Sequence, residues 1–385
     1  MTTEQTLTAT EVARRTILRS QWVPCKGAFI DTKHPGSELK DNYSFIGIGV
    51  SQNPDQFVNL TEPHGFSFGA AGMPRGVTNN LHLHFTSETF INFGGEYRLR
   101  WGVGGGDGEY VSHDGDIICV PQWIFRGFTN EGPDDGILLT VLGRDNTGGI
   151  IWDPSVLEQA ASYGLYLTPE NQLVDTSAGA AKPAAVITPM DADDIAGLET
   201  FTLEQFRTRV STLADRRYEP RALLCTAVDG GHVELDLVIG YGLTENRRQA
   251  PFLPEPQSFN VAWLRAGAGQ GMLRHRHGFT SVLTGRTGRW EVRLGDPADP
   301  FTVELGRLDS LSIPAGAWRE FRCIEAGEDG HAELLIVNGT DGRVQVEWDA
   351  DVTAAAREGG WVLDPNGYLA PSRVMRHVKY GEIEY

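Results

Sequence analysis

Three side chains in the stretch GVTNNLHLHFTSETFINFGG, residues 76–95, have the chemistry of metal ligands: His82, His84 and Glu88. Imidazole nitrogens and carboxylate oxygens together bind zinc, iron and related divalent ions. Side chains two apart on a strand share a face. His82 and His84 therefore point one way, and Leu81 and Leu83 the other. Glu88 falls on the adjoining turn or strand, within reach of the same point. The alternative is an ordinary strand whose polar cluster holds no ion.

The elements that position these residues occur twice. Gly47 and Gly49 recur as Gly240 and Gly242, Gln56 as Gln249, and Glu62 and Pro63 as Glu255 and Pro256. His82 and His84 recur as His275 and His277. Asp116, Pro121, Arg126 and Phe128 recur as Asp309, Pro314, Arg319 and Phe321. All these pairs share one spacing, which marks an internal repeat. Beyond them the spacing lengthens by three residues and pairs Trp152 with Trp348, Gly164 with Gly360 and Pro169 with Pro365. Each repeat opens on a capping-box pattern, Thr8 with Glu11 and Thr202 with Gln205. A short helix is expected at both places.

Inside each half, short glycine-punctuated runs alternate apolar and polar residues. YSFIGIGV, GFSFGAA, EYRLRWGV, DIICVP and ILLTVL read as strands. Many short, closely spaced strands make a sandwich or barrel. The fold class expected is all-β, two tandem jelly-roll barrels, each preceded by a short helix. The domains expected are 1–175 and 201–385. The Ala-, Pro- and Gly-rich residues 176–200 have the composition of a linker.

The net charge of −18 argues against nucleic acid or an anionic membrane as partner. A local arginine can still hold a small anion. No apolar run is long enough to span a bilayer, and the polar opening MTTEQTLTATEVARR has no signal core. A cytoplasmic location is expected. Cys25, Cys119, Cys225 and Cys323 are scattered, so reduced thiols are expected rather than disulfides or a zinc knuckle.

The chain resembles the cupin superfamily. Its first motif, G-x5-H-x-H-x3-E-x6-G, is met at every position by Gly76, His82, His84, Glu88 and Gly95. Its second, G-x5-P-x-G-x2-H-x3-N, is met by Gly115, Pro121 and Asn130. Trp123 stands for the glycine and Arg126 for the histidine. In the second half Gly269, His275, His277 and Gly288 fit the first motif, with Ser281 for the glutamate. Pro314 and Gly316 fit the second motif, with Leu308, Arg319 and Cys323 at its glycine, histidine and asparagine positions. The resemblance covers both halves and implies a bicupin.

It also implies a ligand set. Metal-binding cupins use the two histidines, the glutamate and the second-motif histidine, which gives His82, His84 and Glu88 here. Arg126 cannot coordinate a cation. Two histidines and one carboxylate are the set used by non-haem Fe(II) oxygenases; Mn, Ni, Co or Zn would also accept it. The second half, with His275, His277, Ser281 and Arg319, is expected to hold little or no metal and to bind substrate at most. A buried Arg126 needs an anion, either Glu88 or a substrate carboxylate. The same holds for Arg319.

Distant similarity to gentisate-type dioxygenases implies an Fe(II) oxygenase of a small aromatic carboxylate, with Arg126 neutralising developing charge. A metal-dependent isomerase or lyase, and a non-catalytic ligand-binding bicupin, are the alternatives. A homo-oligomer is expected. His64 is read as pocket lining at most, His113 as solvated, and Trp123 and Phe125 as barrel wall.

Overall fold

The computed structural model of the chain describes residues 3–375. It divides into two units, Trp22–Asp215, and Met1–Gln21 together with Arg216–Tyr385. Among the described residues no helix is long and apolar enough to cross a membrane.

In the unit Trp22–Asp215, a seven-stranded and a five-stranded sheet form the barrel. The five-stranded sheet contains Thr78–His84 between Ile150–Trp152 and Arg126–Asn130. The seven-stranded sheet contains Glu88–Asn92 between Ile117–Val120 and Gly136–Gly143. Pairing is antiparallel except for Asp41–Ile46 with Val58–Leu60. Tyr97–Trp101 alternates buried and half-buried residues, as a strand with one core face does. Phe66–Met73 is buried on both faces.

The second unit repeats this plan with a six-stranded and a five-stranded sheet. Gly271–Arg276 lies between Arg319–Glu325 and Glu347–Trp348, where the first unit has the histidine strand and its neighbours.

Both expected helices form, and both carry the full capping box. Thr8 and Glu11 cap Ala9–Arg15, and Thr202 and Gln205 cap Leu203–Arg207.

The boundaries differ from 1–175 and 201–385. Thr16 and Ile17 pair with Leu311 and Ser310, so the opening helix and its strand belong to the second unit. Val210 and Ser211 pair with Ile118 and Ile117, so the helix at 203–207 belongs to the first. There Phe206 stacks on Trp101, ring centroids 3.8 Å apart. A repeat read along the chain places each helix before its own barrel. Strand pairing, which is not local in sequence, decides which sheet it edges. Residues 176–200 are mostly exposed and include a short helix, Ala192–Ala196.

Candidate metal centre

His82 and His84 project from one sheet and Glu88 from the other, and they meet inside the first barrel. One ligand atom from each can be chosen so that all lie within 4.8 Å of one another. All three residues are buried. Leu83 is buried on the opposite face of the strand, as the alternation requires.

The hydrogen bonds fix the imidazole tautomers. His82 Nδ1 lies 2.7 Å from the Asn80 carbonyl and His84 Nδ1 3.4 Å from the Gly149 carbonyl. A ring nitrogen that donates to a carbonyl leaves Nε2 with its lone pair, the form in which histidine binds metal. Burial, with Arg126 and the neighbouring ring adding to it, drives the His82 pKa far down. Burial and Arg126 lower that of His84 against the pull of Glu88. Both rings are neutral near pH 7, as ligands must be.

Burial alone would raise the Glu88 carboxyl. His84 and Arg126 outweigh it and hold the group below its ordinary value, as a carboxylate. Arg126 Nε and His84 Nε2 each lie 3.3 Å from Glu88 Oε2. Arg126 is therefore buried and inward, and its anion is Glu88. Its Nη1 donates to the Ile124 carbonyl at 3.0 Å, while Nη2 is buried with no hydrogen-bond partner.

Sequence reasoning missed a supporting shell. The Lys40 ammonium, itself buried, lies 2.7 and 2.8 Å from the two Asp31 oxygens and contacts Asn79 Oδ1. Asp31 Oδ2 accepts from the Asn80 backbone N–H at 3.1 Å. Asn80 in turn supplies the carbonyl that orients His82. No motif marks Lys40 or Asp31, because their pairing spans two loops and a strand.

A cavity of about 50 Å³ adjoins the three ligands. Lys40, Asn42, Ser44, Ser67, Asn79 and Thr140 line it with His82, His84 and Glu88. Ser67 Oγ is buried with no protein partner. The repeat provides an internal control. The residues corresponding to Lys40, Asn42, Ser44, Asn79 and Thr140 are Val233, Leu235, Leu237, Met272 and Ile336, all in the apolar core of the second unit. Register confirms one such match: Thr140 pairs with Gly69 and Phe90, and Ile336 with Ala262 and Leu283. At these positions the first barrel carries polar side chains around a cavity that Phe29, Phe68, Phe128, Leu142 and Ile150 also line, and the second carries apolar ones. A position-by-position comparison of the repeats carries this signal, since DNYSFI stands where ELDLVI does.

Among the described residues, no carboxylate pairs with Arg319 at the centre of the second barrel. Arg319 Nη1 lies 3.1 Å from His277 Nε2 and 3.2 Å from Ser281 Oγ. Its Nε donates to Ala317 and its Nη2 to Pro314. Burial pulls Arg319 down to about 9, so it stays cationic near pH 7. All three of its nitrogens are satisfied by neutral acceptors. His277 uses its Nε2 lone pair on the arginine, and His275 Nδ1 bonds the Leu273 carbonyl. These contacts occupy Arg319 and His277 Nε2, whereas His275 Nε2 is buried with no hydrogen-bond partner.

Of the remaining candidates, His64 is buried with Nδ1 2.7 Å from the Glu62 carbonyl and lies outside the cavity lining. The His113 side chain is exposed. Phe125 is buried, whereas Trp123 is exposed, edge-on to Phe85 and in the left-handed conformation at φ 63°. All four cysteines are free.

No family model matches the chain, and no curated protein matches it. Solved structures do. A Lactobacillus farciminis oxalate decarboxylase formate complex aligns with TM-score 0.51 and 13% identity, covering 88% of each chain. A Solanum melongena vicilin, described as having different anionic ligands in structurally similar pockets, aligns with TM-score 0.51 and 11% identity over 89% of each. Bacillus subtilis oxalate decarboxylase at pH 4.6 aligns with TM-score 0.50 and 12% identity, covering 99% of this chain and 85% of that one. These matches span both units. The two-barrel bicupin fold implied by the motifs is the fold of the chain.

Proposed function

We propose that the first barrel is a divalent-metal centre and that the chain is a metal-dependent oxygenase of a small carboxylate, with Fe(II) as the metal. One observation carries the reading: two neutral imidazoles and one carboxylate converge within 4.8 Å beside a cavity lined by polar and apolar side chains. The donor set fits the ion, because both rings are held by carbonyls at Nδ1 and Glu88 Oε1 is left for coordination. A divalent ion held by His82, His84 and Glu88 would supply Lewis acidity toward a substrate oxygen and a site for dioxygen chemistry.

The chain's own residues do the rest. Arg126 places a fixed positive charge against Glu88 and keeps Nη2 as a donor for a substrate anion. Ser67 Oγ offers a hydroxyl to whatever fills the cavity. Asp31, through Asn80, holds the His82 ring in its ligating tautomer.

The cavity also revises the substrate. A cavity that binds benzene measures about 150 Å³, against about 50 Å³ here. The aromatic acid implied by the gentisate-type resemblance is too large for the cavity as it stands. An acid of two or three carbons fits. That size favours a second reading, a metal-dependent lyase acting without net oxidation; one of the similar folds is an oxalate decarboxylase with formate. A homo-oligomer is part of the proposal, to be tested by light scattering.

The test has two stages. Metal content is measured on chain purified anaerobically with Fe(II), and on His82→Ala. About one iron per chain, lost in the variant, supports the centre; no metal in either overturns it. Oxygen uptake and CO2 release are then followed with glycolate, glyoxylate and oxalate. Uptake supports the oxygenase, and CO2 release without uptake supports the lyase.

A further inference from the structure

The second unit carries a cleft of about 530 Å³ that the metal centre does not use, lined by Arg221, Asn246, Arg247, Arg248 and Trp361. Small-molecule sites measure about 300–1,000 Å³. In a chain of net charge −18, three arginines on one cleft invert the local field.

Little of that charge is cancelled. Arg247 Nη2 lies 2.5 Å from Asp364. Among the described residues, Arg221 and Arg248 make no side-chain ion pair, and the Arg221 guanidinium lies 5.8 Å from the Trp361 ring centroid. The wall is braced. The Tyr368 ring has the Arg247 and Arg343 guanidiniums within 4.3 and 4.1 Å, and Arg343 Nη1 holds the Gly367 carbonyl at 2.8 Å. Trp361 stands on the hairpin Trp361–Leu363 with Leu369–Pro371.

The first repeat has none of these features. Gly27, Pro54, Asp55 and Leu165 stand where Arg221, Arg247, Arg248 and Trp361 do. Leu165 sits in the matching hairpin, pairs with Asp175 as Trp361 pairs with Pro371, and is buried in an apolar cluster. The arginines and the indole are thus not required by the fold, which forms without them one repeat earlier.

We infer that this cleft binds a phosphate-bearing ligand with a flat ring, the phosphates on Arg221 and Arg248 and the ring against Trp361. Guanidinium groups match phosphate oxygens two at a time. A half-buried indole edged by a cation offers a face for stacking.

The probes are ADP and inorganic pyrophosphate, titrated calorimetrically into the intact chain at about 0.15 M salt. Saturable one-to-one ADP binding is expected, weakened about tenfold or more in Arg221→Ala/Arg248→Ala, since each lost charged hydrogen bond matters at that level. Both side chains are exposed, so the double variant keeps its melting temperature. Trp361→Leu, which installs the first repeat's residue, weakens ADP and leaves pyrophosphate unchanged. No saturable ADP binding, or equal binding by the double variant, overturns the site. Equal affinity for ADP and pyrophosphate overturns the role of Trp361 and the ring-bearing class.

Discussion

Glu88 Oε2 is shared: Arg126 Nε lies 3.3 Å from it on one side and His84 Nε2 3.3 Å on the other. The carboxylate that would ligate a metal is therefore already charge-compensated without one. Arg126 sits in register with His82, as Arg319 sits in register with His275.

Arg126→Met tests that coupling. Removing one partner of a buried ion pair costs about 3–5 kcal/mol, so the metal-free variant should melt well below the parent. Added Fe(II) or Mn(II) should restore most of the loss, because the ion replaces the missing charge. Thermal melts with chelator and with metal read both arms. Equal melting of the two proteins in chelator would remove the compensating role given to Arg126.

Glu88→Gln keeps the shape and removes the negative charge. Metal content should fall from about one per chain to below about a tenth, as for His82→Ala, since two neutral nitrogens alone rarely retain an ion. Elemental analysis after gel filtration decides it. Full metal content in the glutamine variant would exclude Glu88 as a ligand.

The Lys40–Asp31 pair should show strong non-additivity. Asp31→Asn leaves a buried ammonium and should cost about 3–5 kcal/mol; Lys40→Met leaves a buried carboxylate at a similar cost. The double variant should lose much less than the sum, because no uncompensated charge remains. Urea unfolding of the four proteins completes the cycle, and simple additivity would rule out the pairing.

A fourth prediction concerns pH. Gln52 accepts from Trp152 Nε1 at 3.1 Å, and its counterpart Glu245 accepts from Trp348 Nε1 at 2.7 Å and from Leu224 N at 2.5 Å. Burial pushes the Glu245 carboxyl from 4.5 up to about 8, against those hydrogen bonds. Between these limits the folded chain holds a proton that the unfolded chain has released. Stability therefore falls as pH rises from 4.5 to about 8 and levels off above. The loss is on the order of 5 kcal/mol at about 1.4 kcal/mol per unit. Glu245→Gln, the first repeat's own residue, should flatten the profile and be more stable than the parent at pH 8.5. Denaturant melts across this range check it; parallel profiles would refute it.

Much of this was legible in the sequence because the signals are local. Thr8 with Glu11 and Thr202 with Gln205 announced two helix starts, and both capping boxes form. Five fixed motif positions placed His82, His84 and Glu88 at one point. The turn geometry outlasted its glycines: Trp123 and Leu308 hold φ of 63° and 67° where the motifs have glycine. What was not legible depends on contacts between distant segments. Lys40 meets Asp31 and Asn79 only after loops fold onto the histidine strand. That the first barrel's cavity has a partly polar lining follows from polar residues on several strands at once. In the second centre, Arg319 uses His277 itself as an acceptor, a contact between residues 42 apart in the chain.

The crossed pairing of the opening strands has an evolutionary consequence. Thr16–Ile17 edges a sheet of the second unit and Val210–Ser211 a sheet of the first. A single-repeat ancestor with this arrangement would lend its arm to another molecule and borrow one in return, a dimer that dilution takes apart. Fusion of two such genes turns the loan into an intramolecular one, held at a fixed effective concentration however scarce the protein becomes. Each half then depends on residues encoded beside the other, and the second unit, split between Met1–Gln21 and Arg216–Tyr385, cannot be inherited, or excised, as one continuous piece.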